Sequence, residues 1–138
     1  MIVIDTHIFI WWVNNSSFLK KNHRSFLDKQ VDGAILLNII SLWEIAKAVE
    51  KGNLELNISV EKWLNESVEN YNISIVSLDI PIVVESTRLP GNFHKDPADQ
   101  LIVATSRVLD IPLLTEDEKI LKYPFVKLFG STSFLVGK

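Results

Sequence analysis

Asp5 is an acidic residue inside an otherwise apolar stretch at the start of the chain. It follows Ile2–Ile4 and is followed by a further apolar run at residues 8–12. Burial of an ionised carboxylate is strongly unfavourable unless the group is paired, hydrogen-bonded or bound to a metal. Metal binding is therefore one chemistry that this residue could serve, provided that the rest of the sequence supplies further ligands.

Four more acids, Glu44, Asp96, Asp99 and Asp117, follow apolar runs or open predicted helices. In a parallel sheet the carboxyl ends of the strands meet at one edge, which is where open α/β folds bind ligands. Carboxylates gathered there repel one another, and some must take up a proton unless a cation intervenes. Mg²⁺ or Mn²⁺, which prefer oxygen ligands, would relieve that repulsion. We therefore expect Asp5 to face a metal ion, with the other acids around it.

Helix capping is the alternative explanation for the same acids. The Ser41-x-x-Glu44 spacing is typical of a capping box. Asp96 directly before Pro97 is typical of an N-cap followed by a proline in the first helical position. Asp117 could cap a short final helix. Each acid taken alone fits capping, and their shared position at strand ends favours the metal site.

Short apolar runs alternate with amphipathic segments along the chain. Apolar residues spaced as on one helical face predict helices between residues 60 and 71 and between residues 98 and 109. This alternation favours an α/β domain with a mostly parallel sheet and right-handed crossovers. The runs that predict buried strands cover residues 2–4, 34–40, 73–78, 112–114 and 125–129.

The composition is typical of a globular protein, because 47% of the 138 residues are hydrophobic. We expect residues 1–138 to form one domain. The absence of cysteine excludes disulfides, cysteine nucleophiles and thiolate zinc sites, and it suits the reducing cytoplasm. The apolar start lacks the positive leader of a signal peptide, and no apolar run approaches the ~18 residues of a membrane span. We therefore expect a cytoplasmic protein without a membrane partner.

Four sequence blocks carry a pattern that extends over nearly the whole chain. They read MIVIDTHIFIWW, SLWEIAKAVEKGNLEL, LPGNFHKDPADQLIVATS and PLLTEDEKI. This ordered set resembles the PIN-domain ribonucleases, specifically the VapC-like toxins of bacterial toxin–antitoxin pairs. The resemblance implies a three-layer α/β/α sandwich with a mostly parallel sheet of four to five strands, and an acidic pocket for one or two Mg²⁺ or Mn²⁺ ions. It gives the core acids as Asp5, Glu44, Asp99 and Asp117, with Asp96 as a second-tier metal ligand and Thr6 and Thr115 as supporting hydroxyls.

The resemblance also implies RNA as the substrate, a homodimer, and an inhibitory antitoxin that masks the acidic pocket. The chain departs from the family pattern around Asp99, where the family often has Asp-Pro-Phe-Asp-Arg. Here Ala98 and Gln100 replace the phenylalanine and the arginine. These replacements concern local RNA contacts rather than the metal ligands.

Metal-bound carboxylates can activate a water molecule and hold a phosphate oxygen. In-line attack by that water on phosphorus would leave a 3′-hydroxyl and a 5′-phosphate. Asp5, Asp99 and Asp117 are the predicted direct or water-mediated ligands. Glu44 either completes the metal's ligands or orients the attacking water.

Basic residues are too few for non-specific binding of nucleic acid, since the formal net charge is −3. RNA must then be bound by local patches, and His94 and Lys95, next to Asp96, are candidate RNA contacts. A second basic cluster lies between residues 20 and 29, and its alternative explanation is a solvated helix face.

Tryptophans are frequent in this chain. Trp43 and Trp63 occur at helical spacing and are predicted to pack in the core. Trp11 and Trp12 are adjacent and cannot both point inward from one helix. One of them should lie near the surface and anchor a homodimer or antitoxin contact.

Three other functions compete with the metal-dependent nuclease. RNA cleavage through the 2′-hydroxyl would need a pair of histidines, and only His94 lies near the acids. A phosphate-receiver signalling domain needs a pair of early acids, an acceptor aspartate and a late lysine after a strand. Asp79 could be the acceptor, but Asp5 stands alone and no suitable lysine follows a late strand. A non-catalytic binding module, whose acids only cap helices, is the alternative from another class.

Overall fold

The computed structural model describes residues 1–130 and has a parallel sheet between two layers of helices. The strands are β1 (Ile2–Ile4), β2 (Ile35–Asn38), β3 (Ser74–Val76) and β4 (Leu113–Leu114), in the spatial order β3-β2-β1-β4. The helices are α1 (Thr6–Val13), α2 (Lys21–Asp28), α3 (Ile39–Glu50), α4 (Val60–Asn70), α5 (Ile80–Ser86), α6 (Pro97–Leu109) and α7 (Glu118–Leu121). The helices predicted between 60 and 71 and between 98 and 109 are thus confirmed.

Alternating side chains of β1 divide the core into two layers. Ile2 and Ile4 belong to a cluster with Phe9 of α1 and Trp63 of α4. Val3, on the opposite face, packs in a second cluster with residues of α6 and α7. Successive side chains of a strand point to opposite faces, so a strand that is apolar at every position must be covered on both sides. The predicted α/β/α sandwich is confirmed.

The strand predicted at residues 34–40 is shorter than expected, because Asn38 ends it. The side chain of Asn38 accepts a hydrogen bond from the amide of Ile40 at 2.8 Å and so caps α3. Its Nδ2 donates to Oγ1 of Thr105 at 2.8 Å, which satisfies this fully buried amide. Helix α3 therefore begins at Ile39, and Ser41 lies inside it. The prediction that Ser41 and Glu44 form a capping box is wrong.

The fifth predicted strand, at residues 125–129, contributes a single parallel bridge between Leu113 and Leu128. Within residues 1–130 the sheet therefore has four strands. The chain runs from β1 outward to β2 and β3 and then returns to place β4 on the other side of β1. This reversal creates a topological switch point between the carboxyl ends of β1 and β4, where α/β folds typically form a ligand crevice.

The tryptophans only partly follow the sequence prediction. Trp63 is buried as expected, but Trp43 is 57% exposed, so its assignment to the core is wrong. Trp12 is buried and its Nε1 donates to Asp28 at 2.8 Å. Trp11 is half-buried, with its ring 5.8 Å from that of the exposed Phe18. Of the adjacent pair, Trp11 is the one near the surface.

No helix within residues 1–130 is both long and apolar enough to cross a membrane. The domain predicted from the sequence extends to residue 138, and its end at 131–138 lies outside the described residues.

Candidate active site

The switch point between β1 and β4 positions the first pair of predicted site residues. Asp5 directly follows β1, and Thr115 directly follows β4. The Thr115 hydroxyl donates a hydrogen bond to Oδ2 of Asp5, and Oδ1 of Asp5 accepts the amide of Ile8 at 3.0 Å. Asp117 is tied to the same group, because its amide donates to Oγ1 of Thr115 at 3.0 Å. The ends of these two neighbouring strands therefore bring Asp5 and Asp117 together.

Burial has the largest effect on the pKa of Asp5, which is 4% exposed. It raises the pKa of the Asp5 carboxyl to about 6, and the negative charge of Asp117 adds to this increase. The hydrogen bonds from Thr115 and Ile8 and the nearby His7 oppose the increase without cancelling it. The protein thus holds a carboxylate where its charged form is unfavourable.

Glu44 is brought to the site by α3 and is held by a neighbouring helix. Oγ1 of Thr6, the first residue of α1, donates to Oε1 of Glu44 at 2.5 Å and lies 2.8 Å from Oγ of Ser41. Burial raises the pKa of Glu44, the Thr6 hydrogen bond opposes that increase, and the charge of Asp96 adds to it. Ser41, predicted to be a helix cap, is instead a buried contact of this site.

Asp99 lies at the centre of the charge cluster. Burial raises the pKa of its carboxyl to about 7. Four further acids then raise this pKa through their negative charges, in the order Asp96, Asp117, Glu44 and Asp5. The other four predicted acids therefore all act on Asp99, although the five acids come from four separate parts of the chain.

A smaller group within this cluster has the spacing of a metal site. One ligand atom each from His94, Asp99 and Asp117 lie within 4.8 Å of one another. Nε2 of His94 lies 3.0 Å from Oδ2 of Asp99. Asp5 and Glu44 are neighbours of this group rather than members of it. Lys95, the other predicted RNA contact, is exposed in the loop that leads into α6.

Helix capping and clustering occur together at this edge. Asp5, Asp96 and Asp117 are the N-caps of α1, α6 and α7, so the capping prediction is confirmed for Asp96 and Asp117. Glu44 and Asp99 lie inside their helices, and within residues 1–130 neither carboxylate accepts a main-chain amide hydrogen bond. Capping therefore explains part of the cluster but not these two acids.

Glu116 has a separate role from its neighbour Asp117. Its carboxylate lies 3.4 Å from Nζ of Lys20 and 3.4 Å from Nδ1 of His23. In the basic cluster at residues 20–29, Lys20, Lys21 and Lys29 are exposed, as the solvated helix face predicts, whereas His23 is buried. The Lys20 ammonium supplies positive charge to Glu116, and Glu116 is not in the group of His94, Asp99 and Asp117 that has metal-site spacing.

The donor atoms of the cluster fit a divalent cation. Its carboxylate oxygens are ligands that Mg²⁺ and Mn²⁺ accept. Burial and, after it, neighbouring negative charges raise the pKa values of Asp5 and Asp99, an increase that positive charge at the site would oppose. A bound cation would supply that charge and would favour the ionised forms.

One known ribonuclease resembles this chain in sequence, and chains of two solved toxin–antitoxin structures resemble it in fold. Ribonuclease VapC22 of Mycobacterium tuberculosis is 27% identical over 119 residues, which cover 86% of this chain and 88% of the relative. The solved toxin–antitoxin complex from Klebsiella pneumoniae contains a chain with a TM-score of 0.65 at 16% identity, covering 91% of this chain and 95% of that one. VapBC2 from Rickettsia felis, bound to a promoter DNA fragment, gives a TM-score of 0.64 at 18% identity, with coverage of 93% and 97%.

The family assignment depends on a match that covers most of the chain. The sequence profile of the PIN domain matches residues 2–126, from the first strand past the last described helix. The parallel sheet and the acids at its carboxyl edge lie within that span. The chain belongs to the PIN domain family.

Proposed function

We propose that this protein is a metal-dependent endoribonuclease that hydrolyses RNA to products with a 3′-hydroxyl and a 5′-phosphate. We further propose that it is the toxin of a toxin–antitoxin pair. The similarity to a ribonuclease VapC supports the RNA substrate, and the likeness to chains of toxin–antitoxin complexes supports the partner.

The observation that carries the proposal is the position of Glu44 and Asp99. Neither side chain caps a helix, yet both are half-buried among other carboxylates, and their pKa values are raised. A binding module whose acids only capped helices would have no use for these two groups. Perturbed acids that converge in a crevice are typical of catalytic sites.

One group of side chains would bind the cation in the proposed hydrolysis. A bound Mg²⁺ or Mn²⁺ would lower the pKa of a coordinated water and draw charge from a phosphate oxygen. Asp5, Asp99 and Asp117 would hold the cation, with Asp96 as an additional acid at its edge. Thr115 fixes the orientation of Asp5 through its hydroxyl. These contacts preorganise the carboxylates before the substrate binds.

Glu44 and Lys95 would contact the attacking water and the RNA, respectively, rather than the cation. Thr6 holds one carboxylate oxygen of Glu44, which leaves the other free to orient the attacking water. The raised pKa of Glu44 makes it a better proton acceptor than an ordinary glutamate. Lys95 is exposed beside the acids and would bind a backbone phosphate.

End-group analysis of RNA cleaved by the purified chain tests this proposal. We expect cleavage with Mn²⁺ or Mg²⁺, none with a chelator, and products that carry a 5′-phosphate. Products ending in a 2′,3′-cyclic phosphate, or equal cleavage in the presence of the chelator, would contradict it.

The antitoxin would occupy an apolar cavity of about 530 Å³ beside the acids. Its walls include Ile39, Ile40, Trp43, Glu44, Leu78, Asp96, Pro97 and Ala98. Since the cavity is apolar but has two acids among its walls, it suits a segment that combines apolar side chains with a basic one. Trp43→Glu should abolish binding of the antitoxin while RNA cleavage by the free chain continues. Unchanged antitoxin binding would remove this assignment.

A homodimer would use a different surface, the outer face of α5. Ile80, Val83 and Val84 are exposed there and uncharged. A two-fold interface places the same patch on both partners, so an uncharged patch avoids repulsion that an acidic one would create. Val83→Glu should reduce the sedimentation coefficient to that of a monomer. If Trp11→Glu does so and Val83→Glu does not, the contact lies instead at the tryptophan predicted from the sequence.

A further inference from the structure

The imidazole of His94 occupies an unusual position among the carboxylates. Its Nε2 is buried, and within residues 1–130 it has no hydrogen-bond partner. Oδ2 of Asp99 is 3.0 Å away, but the two groups do not have the geometry of a hydrogen bond. A buried polar atom without a partner requires an explanation, because most such atoms in proteins are satisfied.

The loop around His94 holds this nitrogen in place. The ring of Phe93 lies 4.5 Å from the imidazole and is itself packed against Tyr123 at 4.8 Å. Nε2 of Gln100 donates to the main-chain carbonyl of His94 at 3.1 Å. Gln100 stands where the family often has arginine, so in this chain that position fixes the histidine loop. The Nε2 atom is thus aimed at the acids by packing on one side and a hydrogen bond on the other.

The chemistry of the group distinguishes two classes of cation. Mg²⁺ binds oxygen ligands and gives up its water molecules reluctantly. Imidazole nitrogen is a common ligand of divalent transition ions. A site with one imidazole beside two carboxylates therefore favours a transition ion more than a site made of carboxylates alone.

We infer that His94 is a nitrogen ligand of the metal, together with Asp99 and Asp117, and that it makes the site prefer Mn²⁺ to Mg²⁺. This inference rests on the proposed function, because it concerns the same metal site. It gives His94 a different role from the RNA contact expected from the sequence. In this role Nε2 provides its lone pair to the cation, which accounts for the missing hydrogen bond.

The test is electron spin-echo spectroscopy of Mn²⁺ bound to the full chain labelled with ¹⁵N-histidine. We expect magnetic coupling between the Mn²⁺ and one histidine nitrogen in the wild-type protein. This measurement therefore tests for a histidine ligand without any substitution. His94→Gln should remove the coupling and weaken Mn²⁺ binding by about tenfold or more, as the loss of contacts around a metal typically does. His7→Gln, which changes an exposed histidine near the acids, should keep the coupling.

Competition between Mn²⁺ and Mg²⁺ provides the second measurement. His94→Asp replaces nitrogen by oxygen at the same position, so it should lower the ratio of Mn²⁺ to Mg²⁺ affinity while Mg²⁺ binding persists. If Mn²⁺ binds the wild-type chain without nitrogen coupling, the inference is overturned and the proposed metal-dependent function stands. If the wild-type chain binds Mg²⁺ but not Mn²⁺, only the inference is overturned. If it binds neither ion, both are overturned.

Discussion

The body of the sheet and its carboxyl edge differ in what they bury: the body buries apolar side chains, and the edge buries carboxylates. In the body, Ile4 and Leu37 are completely buried among other apolar side chains, and each contact favours folding. At the edge, Asp5 and Asp99 are held where burial and neighbouring charges disfavour ionisation. Such a concentration of carboxylates works against the stability of the metal-free fold. This difference is what the proposed role of the edge as a cation site predicts, because a cation would compensate the carboxylates there.

Removing an acid from the edge should have the largest effect on function. Asp99→Asn should lower RNA cleavage by about 10²–10³-fold, the order expected when one preorganised electrostatic group is lost. The melting temperature should stay equal or rise, because a repelled carboxylate is removed. Steady-state cleavage and thermal melts on the same samples measure both quantities.

Asp79→Asn is the matched control for that change. Asp79 caps α5 through Oδ1, which accepts the amide of Ile82 at 3.1 Å, and it is not among the acids that raise the pKa of Asp99. Asparagine is an equally good cap. Cleavage by Asp79→Asn should remain near that of the wild type. If both variants lose activity equally, or neither does, the distinction between capping acids and the edge cluster fails.

A change in the body of the sheet should have the opposite pattern. Leu37→Ala should lower the free energy of unfolding by about 2–5 kcal/mol, because it removes buried methyl groups and leaves a cavity. Chemical denaturation measures this loss. The folded fraction should bind Mn²⁺ with unchanged affinity. A loss of affinity as large as that caused by Asp99→Asn would mean that the two regions are not separable.

The hydrogen bond between Thr6 and Glu44 gives a smaller effect at the edge. Thr6→Val keeps the shape of the side chain but removes the hydroxyl that holds Oε1 of Glu44. We expect RNA cleavage to fall by about tenfold, which corresponds to about 1.4 kcal/mol in the barrier. Thr6→Ser, which keeps a hydroxyl, should restore most of the rate. Equal rates in the wild type and in Thr6→Val would exclude a positioning role for this contact.

The pH dependence of stability should give the smallest effect. The folded pKa values of about 6 for Asp5 and about 7 for Asp99 lie above the ordinary carboxyl value. The folded state therefore binds these protons more tightly than the unfolded state, and stability falls as the pH rises from about 4 to 7. With a chelator present, the contribution of these groups should lower the melting temperature by a few degrees over this range. Asp99→Asn should show a shallower decline, and an equal or steeper one would contradict the cause given for the pKa of Asp99.

Most of the sheet body could be predicted from the sequence, because its local patterns agree with the fold. Apolar runs and helical spacing identified β1, α4 and α6 correctly. The boundary at Asn38 was missed, although a polar residue in the apolar run 34–40 was the available signal. Its side chain caps the next helix, so the polar residue ended the strand rather than interrupting it. Trp43 was misplaced because helical spacing alone does not tell which face of α3 meets the core.

The edge could be predicted only as a set of acids at strand ends. Their spacing indicated that they would meet, but the order β3-β2-β1-β4 decides which of them are neighbours. The contact of Thr115 with Asp5 joins residues that are 110 positions apart, and no local pattern encodes it. For the same reason the sequence did not predict that Nε2 of His94 faces Asp99.

Direct titration of Mn²⁺ tests the central claim, that the acids at the carboxyl edge share a divalent cation. Calorimetry should show saturable binding to the wild type and to Asp79→Asn, and binding at least about tenfold weaker to Asp99→Asn. The absence of saturable binding to the wild-type chain, or the same affinity in all three proteins, would contradict the account.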